Sequence, residues 1–135
     1  MINLHSGMGS KNISWTAGEI IYKAGDEPDF AYLLTKGEVE IISEKGTRVG
    51  FVNKDEVFGE LSILLNTKRT VTAIALKDSE ALLIPKKNLL DDYNQTSFFI
   101  RAILRSTYLR LTNLNSTIKT DLKNLNEKDD HSNSH

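Results

Sequence analysis

Apolar and polar residues alternate in short runs from about Trp15 to Ile84, and the period then changes. Within GEIIYKAGDEPDF, the run IIY predicts a strand, closed by the turn cluster Ala24-Gly25-Asp26-Glu27-Pro28. The stretch AYLLTKGEVEIISEKGTRVGFV predicts three short strands, punctuated at Lys36-Gly37 and at Glu44-Lys45-Gly46. In GEVEII the polar Glu38 and Glu40 alternate with Val39 and Ile41, the period-two pattern of a half-buried strand. TVTAIAL and EALLIP predict two more strands around Lys77-Asp78-Ser79. One segment breaks this rhythm: LSILL is apolar at nearly every position and predicts a short helix inside the β region. After Pro85, KKNLLDDY predicts a short helix, and Thr96 or Ser97 caps a longer one that runs to about Leu125. Leu104, Leu111, Ile118 and Leu125 recur every seven residues along it, with Leu114 on a second seam that Thr107 and Asp121 interrupt.

Short, regularly spaced strands with turn signals between them indicate a sandwich or barrel. Residues 1–14 read as a flexible N-terminus. Residues 15–125 form the domain, with the β part over 15–85 and helices over 86–125, and 126–135 read as a solvated, disordered tail. Trp15 is expected on the rim of the β part. The 135 residues suffice for one domain with a core of its own.

Charge and composition narrow the function. The 17 basic residues nearly cancel the 18 acidic ones, for a net charge of -1, so neither nucleic acid nor an anionic membrane is an expected partner. The absence of cysteine excludes disulfides, thiol catalysis and cysteine-ligated metals. The three histidines, His5, His131 and His135, leave residues 6–130 without one, which argues against a metal-dependent enzyme built inside a β-barrel. No metal site and no catalytic residue is assigned. Neither a secretory leader nor an apolar span of about 20 residues is read, and the protein is expected to be cytoplasmic.

The candidate chemistry lies in FGELSILLNTKRTVT, residues 58–72. Gly59 permits a backbone conformation other residues avoid and removes a side chain from whatever approaches. The helix it opens offers N–H groups near Leu61 and Ser62 to an anion, and Ser62 adds a hydroxyl. Arg69 carries a planar, permanently charged fork suited to a phosphate. Glu60, an acceptor when ionised, suits sugar hydroxyls. The set matches a ligand with one phosphate beside a ribose hydroxyl.

This stretch resembles the phosphate-binding cassette of cyclic nucleotide-binding domains, as in catabolite activator proteins, kinase regulatory chains and nucleotide-regulated channels. The cassette form is F-G-E-[LI]-[AS]-L-L, a spacer, then R-[ST]-A-[TS]. Upstream, GEIIYKAGDEPDFAYLLTKGEVEI is similar to a second family signature, with Gly18, Glu19, Gly25, Asp26, Tyr32, Gly37 and Val39 in place. The resemblance spans roughly Ala17 to Leu114. It implies a mainly β fold with some α: a double-stranded β-helix (jelly-roll) barrel with a short cassette helix and C-terminal helices. It also implies a ligand, cAMP or cGMP, and no separate cofactor. Glu60 would take the ribose 2′-hydroxyl. Arg69 would take the cyclic phosphate, with the Leu61 and Ser62 amides and the Ser62 hydroxyl. Thr70 would lie near the base edge, and Val71 stands where the family usually has Ala.

The resemblance further implies that the long helix pairs two subunits through residues 96–125 and lays a residue over the base. Arg105, Asn113 and Asn115 are the candidate lid residues. Binding is expected to move the cassette helix and a hinge near Lys86–Tyr93, repositioning that helix. No helix-turn-helix, kinase or channel segment is read after it, so the chain is expected to be a stand-alone, non-enzymatic cyclic nucleotide sensor that does not bind DNA directly. The alternative is a ligand-free barrel that uses the long helix for self-association or partner docking.

Overall fold

The computed structural model describes residues 11–111. Eight strands form two antiparallel sheets: β1 (Asn12–Trp15), β2 (Ile20–Tyr22), β3 (Phe30–Lys36), β4 (Val39–Ser43), β5 (Arg48–Val52), β6 (Val57–Phe58), β7 (Val71–Ala75) and β8 (Ser79–Pro85). A one-turn helix, α1 (Leu61–Leu64), lies between β6 and β7, and α2 (Lys86–Gln95) follows β8. One sheet has the order β1-β8-β3-β6 and the other β2-β7-β4-β5. Neighbours in space are mostly not neighbours in sequence, the winding of a jelly roll.

The inward positions follow from strand periodicity. On β3, Tyr32 and Leu34 share the face toward one core while fully buried Ala31 lies on the opposite face, and Tyr32 pairs with Leu83 of β8 on one side and Phe58 of β6 on the other. On β7, Ala73 and Ala75 are buried opposite Ile41 and Val39 of β4. These small residues leave room for the large ones. Trp15, Tyr22, Tyr32, Leu34, Val39, Val52 and Phe58 share one core with Ala73, Ala75 and Ala81. A second cluster of Ala31, Ile63 and Ile84, with Leu33, Leu89 and Leu90 against it, seats α1 and α2 on the barrel.

Two expectations change. The domain begins at Asn12 rather than Trp15, because Ile13 and Trp15 alternate with polar Asn12 and Ser14 in a strand that pairs with Ser79–Leu82. Trp15 belongs to the core and not the rim: it is buried, and its ring meets Tyr32 edge-on with centroids 5.5 Å apart. The segment Lys86–Tyr93, where a hinge is expected, lies within α2, which runs to Gln95 before the backbone turns extended at Thr96.

From residue 98 to residue 111 the chain is again helical, in a unit separate from residues 1–96. The Ser97 hydroxyl accepts the Ile100 amide at 3.2 Å, which makes Ser97 the cap and Thr96 the end of the preceding helix. Along this helix Phe98, Phe99, Ile103 and Leu111 are exposed. Leu114, Ile118 and Leu125 of the expected seam, and the expected tail over 126–135, lie outside the described residues.

Candidate functional site

The segment around α1 is built by its turn residues. Gly59 enters the turn with φ of 79°. Glu60 is the N-cap, without a side-chain capping bond, and Ser62 and Ile63 are buried. At the other end the Asn66 amide donates to Ile63 O (3.2 Å) and the Thr67 amide to Ser62 O (2.9 Å), with Asn66 at φ 56°. That pair of bonds is a Schellman closure, and it turns the chain back under the barrel.

Arg69 lies where this returning chain meets the β2–β3 turn. Its amide donates to Asp26 O at 2.9 Å, and its carbonyl accepts the Gly25 amide at 2.7 Å. The Asp26 carboxylate in turn accepts the Lys23 amide at 3.0 Å, holding that turn in shape. The Arg69 side chain is only 4% exposed. Its Nη1 donates to the Gly59 carbonyl and its Nη2 to the Phe30 carbonyl. The guanidinium carbon stands 3.9 Å from the centre of the Tyr22 ring. Arg69 Nε is buried without a hydrogen-bond partner. One cation thus joins the Gly-Asp turn, the start of β3 and the cassette glycine.

Gly59 is needed here for space as well as for its backbone angle. A Cβ on it would stand 3.1 Å from Arg69 Nη1, 3.3 Å from Tyr22 Cε2 and 3.4 Å from Tyr32 Cδ2. Tyr22 is stacked in turn on Tyr32 (centroids 6.2 Å apart, planes 17° apart). Burial pushes the Tyr22 phenol up to about 12, the Arg69 charge opposing and the Glu60 charge and Tyr32 adding to the rise. Burial raises the Tyr32 phenol too, Arg69 again opposing and Asp29 adding.

The Tyr22 shift has a sign that can be tested. An unfolded phenol ionises near 10, whereas the folded one keeps its proton to about 12. The stability Tyr22 contributes is therefore complete below about pH 10 and is lost as pH climbs toward 12, by about 2–3 kcal/mol. Urea unfolding between pH 9 and 11 should show that decline, and Tyr22→Phe should flatten it.

Of the residues read from the sequence, Gly59 and Arg69 are in contact, and Glu60 is close enough for its charge to act on Tyr22 beside Arg69. Ser62 is buried, Leu61 and Val71 are half-buried, and Thr70 is exposed. Arg105 lies on the helix of the second unit, and Asn113 and Asn115 lie outside the described residues. The sequence reading did not single out Tyr22 or the Phe30 carbonyl. A tyrosine in IIY reads as core, and a carbonyl has no sequence signature.

The family model of the cyclic nucleotide-binding domain matches residues 12–96, and the chain belongs to that family. The lysophospholipase NTE1 of Yarrowia lipolytica is 30% identical over 129 residues, covering 76% of this chain and 9% of its own length. A cAMP-dependent protein kinase regulatory subunit of Debaryomyces hansenii is 37% identical over 62 residues, covering 46% of this chain and 14% of its own. The solved structure of PKAR CBD2 with Sp-2Cl-cAMPS bound superposes with a TM-score of 0.66 at 25% identity, covering 81% of this chain and 71% of that one. The chain therefore spans a small part of the curated relatives it matches. Among the described residues no helix is long and apolar enough to cross a membrane.

Proposed function

We propose that this chain binds cAMP or cGMP at the Gly59–Val71 cassette and acts as a cytoplasmic regulatory module, passing occupancy to its C-terminal helix. One observation carries the reading: a cation that is 4% exposed is held only by neutral partners where its contacts are seen, and its Nε has none. A buried charge is costly until an opposite charge and its missing hydrogen bonds are supplied. The cyclic phosphate supplies both at Arg69, assisted by the Ser62 hydroxyl and the Leu61 and Ser62 amides. Glu60, one residue from the carbonyl that Arg69 grips, takes the ribose 2′-hydroxyl. Exposed Thr70 faces the base edge, and Val71 lines the site. Arg105, Asn113 and Asn115 are the residues from which a base lid is drawn, and two copies pair through residues 96–125. Helix movement needs two arrangements of different ligand affinity, with the hinge near Lys86–Tyr93.

Thermal melting with each nucleotide tests the reading. At ligand one hundred times the dissociation constant a binder gains about 2.7 kcal/mol, several degrees for a domain of this size. Glu60→Gln keeps an acceptor oxygen and should shrink the shift without removing it. No shift with either nucleotide at millimolar concentration contradicts the reading.

A further inference from the structure

Two hydrogen bonds leave the Arg69 guanidinium one freedom. Nη1 bonded to Gly59 O and Nη2 to Phe30 O fix two points, but the plane can still swing about the line joining them. The Tyr22 ring, 3.9 Å from the guanidinium carbon, blocks that swing. The ring is itself packed in place: it is 8% exposed and stacks on both Tyr32 and Phe58, the latter with centroids 6.4 Å and planes 27° apart. Tyr32 and Phe58 stack on each other at 5.0 Å, and Trp15 closes the group edge-on against Tyr32. On the other side, the absent Cβ of Gly59 leaves Arg69 Nη1 and Tyr22 Cε2 in contact distance of one point. An aliphatic side chain is apolar too, but it has no negative face to attract a cation.

We infer that Tyr22 is a positioning residue for Arg69: the face of its ring fixes the guanidinium plane, and thereby the direction in which Nε meets an anion. The inference deepens the cyclic nucleotide reading and rests on it. It makes the ring, and not the hydroxyl, the part that matters. It also couples the aromatic core to the ligand site, so a change deep in the barrel reaches affinity through one ring.

The test uses the full chain with Tyr22→Phe, which keeps the ring, and Tyr22→Leu, which keeps an apolar side chain without it. The first readout needs no nucleotide. Arg69 Nε is buried, so its proton exchanges slowly, and the ring beneath shifts its NMR resonance upfield. That signature should persist in Tyr22→Phe and be lost in Tyr22→Leu. The second readout is calorimetric titration with cAMP and cGMP. The dissociation constant should stay within about threefold in Tyr22→Phe and rise at least about fivefold in Tyr22→Leu, the range expected for a desolvated cation–ring contact. An unchanged Arg69 resonance in Tyr22→Leu overturns the inference, as does unchanged affinity or an equal loss in Tyr22→Phe. A wild-type chain that shows the resonance signature but binds neither nucleotide overturns the cyclic nucleotide reading and leaves the ring's hold on Arg69 standing.

Discussion

Arg69→Ala should abolish binding of cAMP and cGMP, raising the dissociation constant at least about a hundredfold. Two charge-assisted hydrogen bonds to a phosphate are each worth about 1.5–3 kcal/mol, and alanine supplies neither. The substitution also has a cost in the fold. The Gly59 and Phe30 carbonyls lose their donors, and the Tyr22 face loses its partner. Losing these contacts destabilises the fold while removal of a buried, unpaired charge offsets part of the loss, so the variant should unfold more easily by only about 1 kcal/mol. Arg69→Lys separates the two effects. It keeps the charge but not the planar fork, so binding should weaken by about tenfold while the fold is better preserved. Calorimetry for affinity and urea unfolding for stability check both halves.

Gly37→Ala should be the most damaging small substitution in the barrel. Gly37 has φ of 98°, and a Cβ there would stand 2.1 Å from Ser79 Oγ and 2.7 Å from both Asp78 O and Ser79 Cα. Two of the three are backbone atoms, so no rotamer change relieves the overlap. Ser79 is 1% exposed, and its hydroxyl accepts the Glu38 amide at 3.2 Å and donates to Lys77 O at 2.8 Å. The methyl therefore pushes apart the β3–β4 turn and the β7–β8 turn, which the Glu38 amide bonded to Ser79 and the Leu76 amide bonded to Glu38 O (2.8 Å) hold together. Backbone strain alone costs about 1–2 kcal/mol, and the clash adds to it, for a loss of at least about 3 kcal/mol. Against a typical stability of 5–15 kcal/mol, that is a large share. Urea midpoints of the wild type and variant measure it. Gly46, at φ 89° with nothing near its missing Cβ, is the control and should lose only the strain.

Those two glycines show what was legible in the chain. Lys36-Gly37 and Glu44-Lys45-Gly46 were both readable as turns, but only the structure distinguishes a glycine that must be bare from one that merely bends. The strands with clean alternation, such as Val39–Ser43, follow from the residues. Val57–Phe58 does not, because two residues cannot show a period, and Asn12–Trp15 alternates through only two cycles, too few to mark a strand without the β8 partner it pairs with. The cassette helix was legible because LSILL has no alternation to offer a strand. The helix over KKNLLDDY was legible because nothing in it breaks a helix, and it ends where the backbone turns extended at Thr96.

The site was half legible. Glu60 and Arg69 are recognisable by charge and spacing. The partners that orient Arg69 are not, because two are main-chain oxygens from distant segments and the third is a ring that hydrophobic patterning assigns to the core. Burial of a cation is a tertiary property, and it is burial that makes this arginine informative.

Calorimetric titration of the purified chain with cAMP, and then with cGMP, tests the central claim most directly. Saturable one-to-one heat with at least one nucleotide, absent in Arg69→Ala, is the result expected. No heat with either nucleotide, from a chain whose unfolding shows it to be folded, contradicts the claim and leaves the barrel as a ligand-free docking module.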